Sequence, residues 1–181
     1  MTYKIHTIET APEEAKAQLE QVQKKYGFIP NLFGIMAEAP SVIQAYLTLS
    51  KMLDDTSLTA TERQIALLTT SYFNNCAYCM AAHSTVATMQ NIPQEIIQAL
   101  RSSSPIDDPK LEALRLFTLD VTEKRGYPSE ETLKNFLDAG YSQAQVLEII
   151  LCVTFKTLSN YVNHVAETPL DAAFKKQEWH K

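Results

Sequence analysis

The chain has 181 residues, 45% of them hydrophobic, enough for one domain with its own core and too apolar for a disordered chain. The formal net charge of −5 argues against nucleic acid or an anionic membrane as the main partner. Three cysteines do not make a secreted disulfide framework, and no apolar run approaches the roughly 18 residues of a membrane span. Met1-Thr2-Tyr3-Lys4-Ile5-His6 opens without an apolar signal-like core, so the expected location is cytoplasmic, with no membrane partner. With Gly27, Gly34, Gly126 and Gly140 the only glycines, phosphate loops and hairpin-rich folds are unexpected.

Residues 1–9 read as an extended lead-in. Pro12-Glu13-Glu14 opens a helix, with acids where the dipole favours them, and it stops near Lys25, before Gly27. Ile29 to Met36 reads as a short apolar helix ending before Pro40. Pro40-Ser41 starts the next, whose stripe is Val42, Ile43, Tyr46, Leu47, Leu49, Met52 and Leu53. Thr59-Ala60-Thr61-Glu62 is a capping-box pattern, and its helix ends at Asn74-Asn75. One of those asparagines is expected to cap the following helix, which runs to about Gln90. Pro93 opens a short helix to Arg101. Asp108-Pro109 is an N-cap followed by proline, leading to a helix that ends near Lys124. Ser129 starts a helix that Gly140 ends. Ser142-Gln143-Ala144-Gln145 is a second capping-box pattern and opens the longest helix, to about Ala166. Pro169 is expected to start a short C-terminal helix. No alternating strand pattern stands out, so the class is all-α, one bundle-like domain. A weak internal repeat pairs Thr59–His83 with Ser142–Ala166, matching Tyr72 to Phe155 and Tyr78 to Tyr161.

The chemistry concentrates in Asn75-Cys76-Ala77-Tyr78-Cys79-Met80-Ala81-Ala82-His83. On a helix, Cys76, Cys79 and His83 fall on one stripe at spacings of three and four. The positive end of the helix dipole favours thiolate at both cysteines, more strongly at Cys76. A C-x-x-C pair at a helix start can close a small disulfide, and His83 can take a proton from Cys79 or stabilise its thiolate. Two other readings stay open. Zinc would find three ligands here, with Cys152, His164 or an acid as a fourth, and a bland reading makes all three core residues.

Leu58-Thr59-Ala60-Thr61-Glu62-Arg63-Gln64-Ile65-Ala66-Leu67 followed by this stretch closely resembles the alkyl hydroperoxidase D / carboxymuconolactone decarboxylase-like family, in particular its peroxidase-related members with Tyr inside the C-x-x-C. The similarity continues through Leu147-Glu148-Ile149-Ile150 and Ser159 to His164, ending near Asp171. It implies one AhpD-like helical-bundle domain over residues 1–181, with a core at about 30–171 and an N-terminal helical extension at about 10–25. It also implies a homo-oligomer, trimer or hexamer, and a thiol peroxidase or disulfide reductase without metal or other cofactor. The partners it implies are a hydroperoxide substrate and a dithiol reductant such as a lipoyl or thioredoxin-like protein. By resemblance Cys79 is the peroxidatic thiol, Cys76 resolves it, and His83 belongs to the proton relay.

One departure concerns that relay. The family's glutamate twelve residues before the first cysteine is Gln64 here, and an amide does not shuttle protons as a carboxylate does. Glu62 nearby is committed to the capping box. Glu148, within the apolar run Val146 to Val153, is the expected substitute, as a buried carboxylate of raised pKa. Tyr78 covers the thiols, packs, or hydrogen-bonds a substrate oxygen. Asn160, Asn163 and His164 are candidates to line the pocket or to satisfy buried polar groups. Cys152 reads as a core thiol. The leading expectation is a thiol peroxidase-like oxidoreductase. The alternatives are a ring-lactone decarboxylase-like lyase, which does not need C-x-x-C, and a non-catalytic redox sensor or oligomeric binding module.

Overall fold

Local chemistry sets the helix starts. In the computed structural model, which describes residues 3–181, the order is α1 (Glu13–Tyr26), α2 (Asn31–Met36), α3 (Pro40–Asp54), α4 (Ala60–Phe73), α5 (Ala77–Met89), α6 (Gln94–Ser102), α7 (Pro109–Glu123), α8 (Glu130–Asp138) and α9 (Gln143–Ala166). A 3₁₀ turn, Ala172–Gln177, follows, and among the described residues there is no strand. Met1 and Thr2, the first part of the expected lead-in, lie outside the described residues. Thr59 and Glu62 form the reciprocal capping box of α4, and Ser142 and Gln145 that of α9. Asp108 caps α7 by accepting from the backbone N–H groups of Lys110 and Leu111.

The centre of the bundle is α4, buried nearly all round and packed on α5, α6, α7 and α9. The long α9 crosses it and also meets α2, α3, α5 and α7. Phe136 of α8 is sandwiched between Phe117 and Tyr141, at ring-centroid distances of 4.5 and 4.3 Å. A second aromatic chain runs from Phe33 edge-on to Tyr46, which stacks on Phe155 of α9 at 4.4 Å. That stack delivers the α3 side of the bundle to the centre of α9.

Four local expectations are corrected. The C-terminal helix does not begin at Pro169. Residues there pass in extended form to Asp171, and a 3₁₀ turn starts at Ala172. Neither Asn74 nor Asn75 caps α5, whose N-cap is Cys76. The proposed repeat pairs unlike objects: Thr59–His83 covers two helices and a turn, Ser142–Ala166 one unbroken helix. Finally, Met52, Leu147 and Ile150 are exposed, because a helix wide enough to be apolar on two faces still buries only those that meet a neighbour.

The N-terminal segment is strapped across α2. His6 donates its backbone N–H to Gly34 O (3.1 Å), and its ring contacts Thr10 O and Glu38. A Cβ on Gly34 would meet His6 O and Ile5 Cγ2, both at 2.8 Å. Glycine is required by that close approach. Gly34→Ala is therefore expected to lower stability by roughly 1–3 kcal/mol in urea denaturation, with helix content retained. A variant as stable as wild type would show that the strap yields at no cost.

Candidate active site

The turn from α4 to α5 builds the site. Asn75 adopts φ +55°, and its N–H bonds Tyr72 O while the N–H of Cys76 bonds Ser71 O. This is a Schellman closure with Asn75 in the left-handed position, where asparagine is the best tolerated non-glycine residue. The asparagines thus end α4 rather than begin α5. Cys76 serves both helices, as the residue after the closure and as the α5 N-cap, without a side-chain cap bond. Cys79 follows at the third position of α5, one turn in.

Both sulfurs are buried, each about 1% exposed, and neither meets solvent in this conformation. They face a polar stripe on α9. Asn163 Nδ2 donates to Cys79 Sγ at 3.2 Å and to Cys76 Sγ at 3.7 Å. Cys79 Sγ and Ser159 Oγ are 3.7 Å apart. Lys156, one turn earlier on α9, is fully buried and acts on Cys79 through its charge. The two thiols are driven apart in acidity. Burial pushes Cys79 up, but the Cys76 hydrogen bond and the Lys156 charge outweigh it and hold Cys79 well below the ordinary thiol range. Cys76 is pushed far up, first by its hydrogen bond to Cys79 and then by burial. The two thiols are thus pushed in opposite directions, Cys79 toward the thiolate and Cys76 toward the protonated form.

His83 lies on the same helix but partners elsewhere. Its Nδ1 donates to Gln64 Oε1 at 3.0 Å, so the proton sits on Nδ1 and the Nε2 lone pair is left available. Burial, and then the Lys156 charge, hold His83 well below its ordinary value, so the ring is neutral. Gln64 is thus where the family's glutamate would be needed, and it orients the imidazole without being able to take its proton. Among the described residues no three His, Cys, Asp or Glu side chains converge as a metal-ligand set.

The other expected residues separate. Glu148 is partly exposed and accepts from the backbone N–H and hydroxyl of Ser57, both at 2.8 Å, so it holds the α3–α4 loop and is not the buried substitute for the missing glutamate. Residue 148 shares the face of Ser159 but lies about 16 Å before it along α9, so it stands at the loop end of the helix and not beside the thiols. The Tyr78 hydroxyl donates to Asp171 at 2.6 Å, and Asp171 also accepts from the N–H of Asn31 at the start of α2. Tyr78 therefore ties three segments together, and its hydroxyl is not free for a substrate oxygen. His164 is exposed, beside Tyr161, because one residue beyond Asn163 the helix has turned by about 100°. Asn160 is buried in a supporting position: its Oδ1 accepts from Asn74 and its Nδ2 approaches Ser71 Oγ at 3.5 Å. Cys152 is fully buried, and burial pushes its thiol up to about 12.

Lys156 and Ser159 were not singled out from the sequence. A signal existed: 156, 159, 160 and 163 are all polar and spaced i, i+3, i+4, i+7, so that they share one face of a largely apolar helix. The strap formed by the last residues was also unforeseen. Arg101 donates to Ser84 Oγ, Gln177 O and Glu178 O, and Trp179 Nε1 donates back to Arg101 O at 2.8 Å.

A neutral, half-buried imidazole has a pH consequence. His83 is held below 6.5 in the fold, while in the unfolded chain it titrates near that value. The unfolded state then binds more protons at acid pH. This contribution to stability is fully present above about pH 6.5 and is lost as pH falls, at up to about 1.4 kcal/mol per pH unit. His83→Gln removes it, so urea midpoints should fall less steeply for the variant than for wild type between about pH 6.5 and 5. Equal slopes would mean that His83 protonates in the fold.

The family model of the carboxymuconolactone decarboxylase family matches residues 40–120, the segment that holds Gln64, both site cysteines and His83. No curated protein sequence matches the chain. Solved structures share its fold over nearly the whole length. An alkylhydroperoxidase AhpD core, an uncharacterized peroxidase-related protein from Ralstonia eutropha JMP134, superposes with a TM-score of 0.83 at 24% identity, covering 95% of this chain and 93% of that one. A peroxidase-related protein from Silicibacter sp. TM1040 gives 0.80 at 21%, covering 97% and 95%. The debrominase Bmp8 gives 0.76 at 18%, covering 91% and 90%. Residues 40–120 thus carry the sequence pattern of the carboxymuconolactone decarboxylase family, and the chain as a whole shares the fold of an alkylhydroperoxidase AhpD core.

Proposed function

We propose that the protein is a dithiol oxidoreductase that reduces hydroperoxides. The observation that carries this reading is the split pair: Cys79 as thiolate, Cys76 as protonated neighbour, and one amide, Asn163 Nδ2, on both sulfurs. The thiolate is the nucleophile. Cys79 sulfur attacks the terminal oxygen of ROOH, the O–O bond breaks, and RO⁻ takes a proton to leave as ROH. Sulfur is oxidised by two electrons to the sulfenic acid. Cys76 then attacks that sulfur, its proton leaves with the displaced hydroxide as water, and the disulfide forms. A dithiol of the lipoyl or thioredoxin class returns two electrons and two protons. In this reading His83, held by Gln64, is a proton acceptor at Nε2 and not the partner of Cys79. A cytoplasmic setting supplies such dithiols; no described helix is long and apolar enough to cross a membrane.

A second reading has a specific motive, since the Bmp8 C82A variant was crystallised with 2,3,4-tribromopyrrole and shares the fold at a TM-score of 0.77. The same dithiol would then remove bromine from an aryl bromide, releasing ArH, bromide and a proton as the disulfide closes. The test uses wild type, Cys79→Ser and Cys76→Ser with one equivalent of an organic hydroperoxide or of 2,3,4-tribromopyrrole, followed by mass spectrometry. Peroxide should give a Cys76–Cys79 disulfide in wild type and a trapped sulfenic acid on Cys79 in Cys76→Ser. Reaction with the bromopyrrole alone would transfer the assignment to dehalogenation. A single slow oxidation without turnover by added dithiol would favour a redox sensor.

The expected homo-oligomer belongs to the same proposal. Its support is an exposed apolar face on α9, from Leu147 and Ile150 to Tyr161 and Val165, about 27 Å long. At its C-terminal half this face borders a groove of about 380 Å³ lined by Ile35, Met36, Val42 and Leu158. A second copy of the chain is the proposed cover. Sedimentation should give a multiple of the 20.4 kDa subunit, reduced by Val165→Asp. A wild-type mass of one subunit would end this part of the reading.

A further inference from the structure

A buried ammonium has to face a negative charge. Lys156 is about 1% exposed, and among the described residues no carboxylate oxygen lies within 4.0 Å of its nitrogen. Its register aims it at the thiols. At about 100° per residue, Lys156, Ser159, Asn160 and Asn163 fall within an arc of about 100° on α9. Two of the four stand against Cys79, Asn163 at 3.2 Å and Ser159 at 3.7 Å. We propose that Lys156 is the counter-ion of the Cys79 thiolate, supplying from α9 the charge stabilisation that the sequence pattern led one to seek in His83.

The assignment rests on the reading of Cys79 as the attacking sulfur, and it explains three features together. First, the cation is tolerated in the core because its counter-charge is a thiolate and not a carboxylate. Second, Gln64 is compatible with an active thiol: with the charge held by Lys156, no carboxylate is needed to make His83 a cation. Third, His83 is held neutral first by burial and then because the same ammonium disfavours a second positive charge nearby. The titratable groups that face Cys79 are Cys76 and Tyr78 on α5, Tyr46 on α3 and Lys156 on α9. From the C-terminal segment, Asp171 is engaged by the Tyr78 hydroxyl. From α4, the group at His83 is the neutral Gln64. Among these groups Lys156 is the one whose side chain can supply a cation.

The test follows iodoacetamide alkylation of Cys79, read by peptide mass spectrometry, as a function of pH in wild type, Lys156→Met and Lys156→Arg. Wild type should alkylate at a rate nearly flat from about pH 6 to 8, as a thiolate already formed. Lys156→Met should rise roughly tenfold per pH unit toward about pH 8.5, the behaviour of an ordinary thiol, and be at least about tenfold slower than wild type near pH 6. Lys156→Arg should keep the flat profile. A Lys156→Met profile as flat as wild type overturns the proposal, and so does a wild-type profile that rises like a free thiol. Should Lys156→Met not fold, the wild-type profile and its ultraviolet thiolate absorption at neutral pH decide, absence of the thiolate overturning it. Hydroperoxide treatment of wild type in parallel separates the two readings. A flat alkylation profile without peroxide-driven disulfide sinks the peroxidase reading and leaves the ion pair. Disulfide formation with an unchanged Lys156→Met profile does the reverse.

Discussion

Four polar side chains on one face of α9, Lys156, Ser159, Asn160 and Asn163, are buried, and the positions of the neighbouring helices follow from that. A buried polar group that finds no partner costs about 1–3 kcal/mol, so each member of the stripe restricts what can lie opposite it. Asn160 holds Ser71 and Asn74 at the end of α4. Asn163 holds both sulfurs at the start of α5. The apolar residues around them decide that these helices pack. The polar stripe decides in what register, because an amide that slides by one helical turn loses its partners while a leucine finds others.

The same stripe explains why the thiols sit at a helix junction. The Schellman closure of α4 leaves no spare residue before α5, so Cys76 has to be its N-cap. A serine or aspartate there would satisfy an orphan N–H and stabilise the helix by about 1 kcal/mol. A cysteine gives that up and points its sulfur at Cys79 and Asn163 instead. Asn75 adds a left-handed residue whose strain is on the order of 1 kcal/mol for a side chain with a Cβ. Local stability has been exchanged for the position of a sulfur, a pattern met where geometry serves chemistry.

Two cysteines three residues apart are pushed toward opposite protonation states, and magnitudes explain which is which. The helix dipole favours the first cysteine, but by only about 0.3–1 kcal/mol. Hydrogen bonds to a charged group contribute about 1.5–3 kcal/mol each, and Cys79 collects more of them. Short-range partners therefore outrank the dipole. The dipole ranking made from position alone favoured Cys76, whereas the short-range partners push Cys79 toward the thiolate. The resemblance named Cys79, although its stated neighbour, His83, turns to Gln64 and acts on neither thiol directly.

The amino-acid sequence by itself determined the all-α class, nearly every helix start, and the stripe of Cys76, Cys79 and His83. Those features depend on residues within four positions of one another: capping boxes at Thr59 and Ser142, proline after Asp108, and spacings of three and four. Gln64 opposite His83 was legible through the family pattern. Only the tertiary structure decided that Glu148 serves a loop and His164 faces outward. It alone showed that the Tyr78 hydroxyl finds Asp171, 93 residues later, and that Lys156 is buried. The apolar run around Glu148 did not tell its partner, since the pattern along α9 does not say which segment meets the helix at each level, and at residue 148 it is the α3–α4 loop. Short-range order is written along the chain, whereas the partner of a polar side chain on a crowded helix is fixed by which faces pack, and that depends on every helix at once.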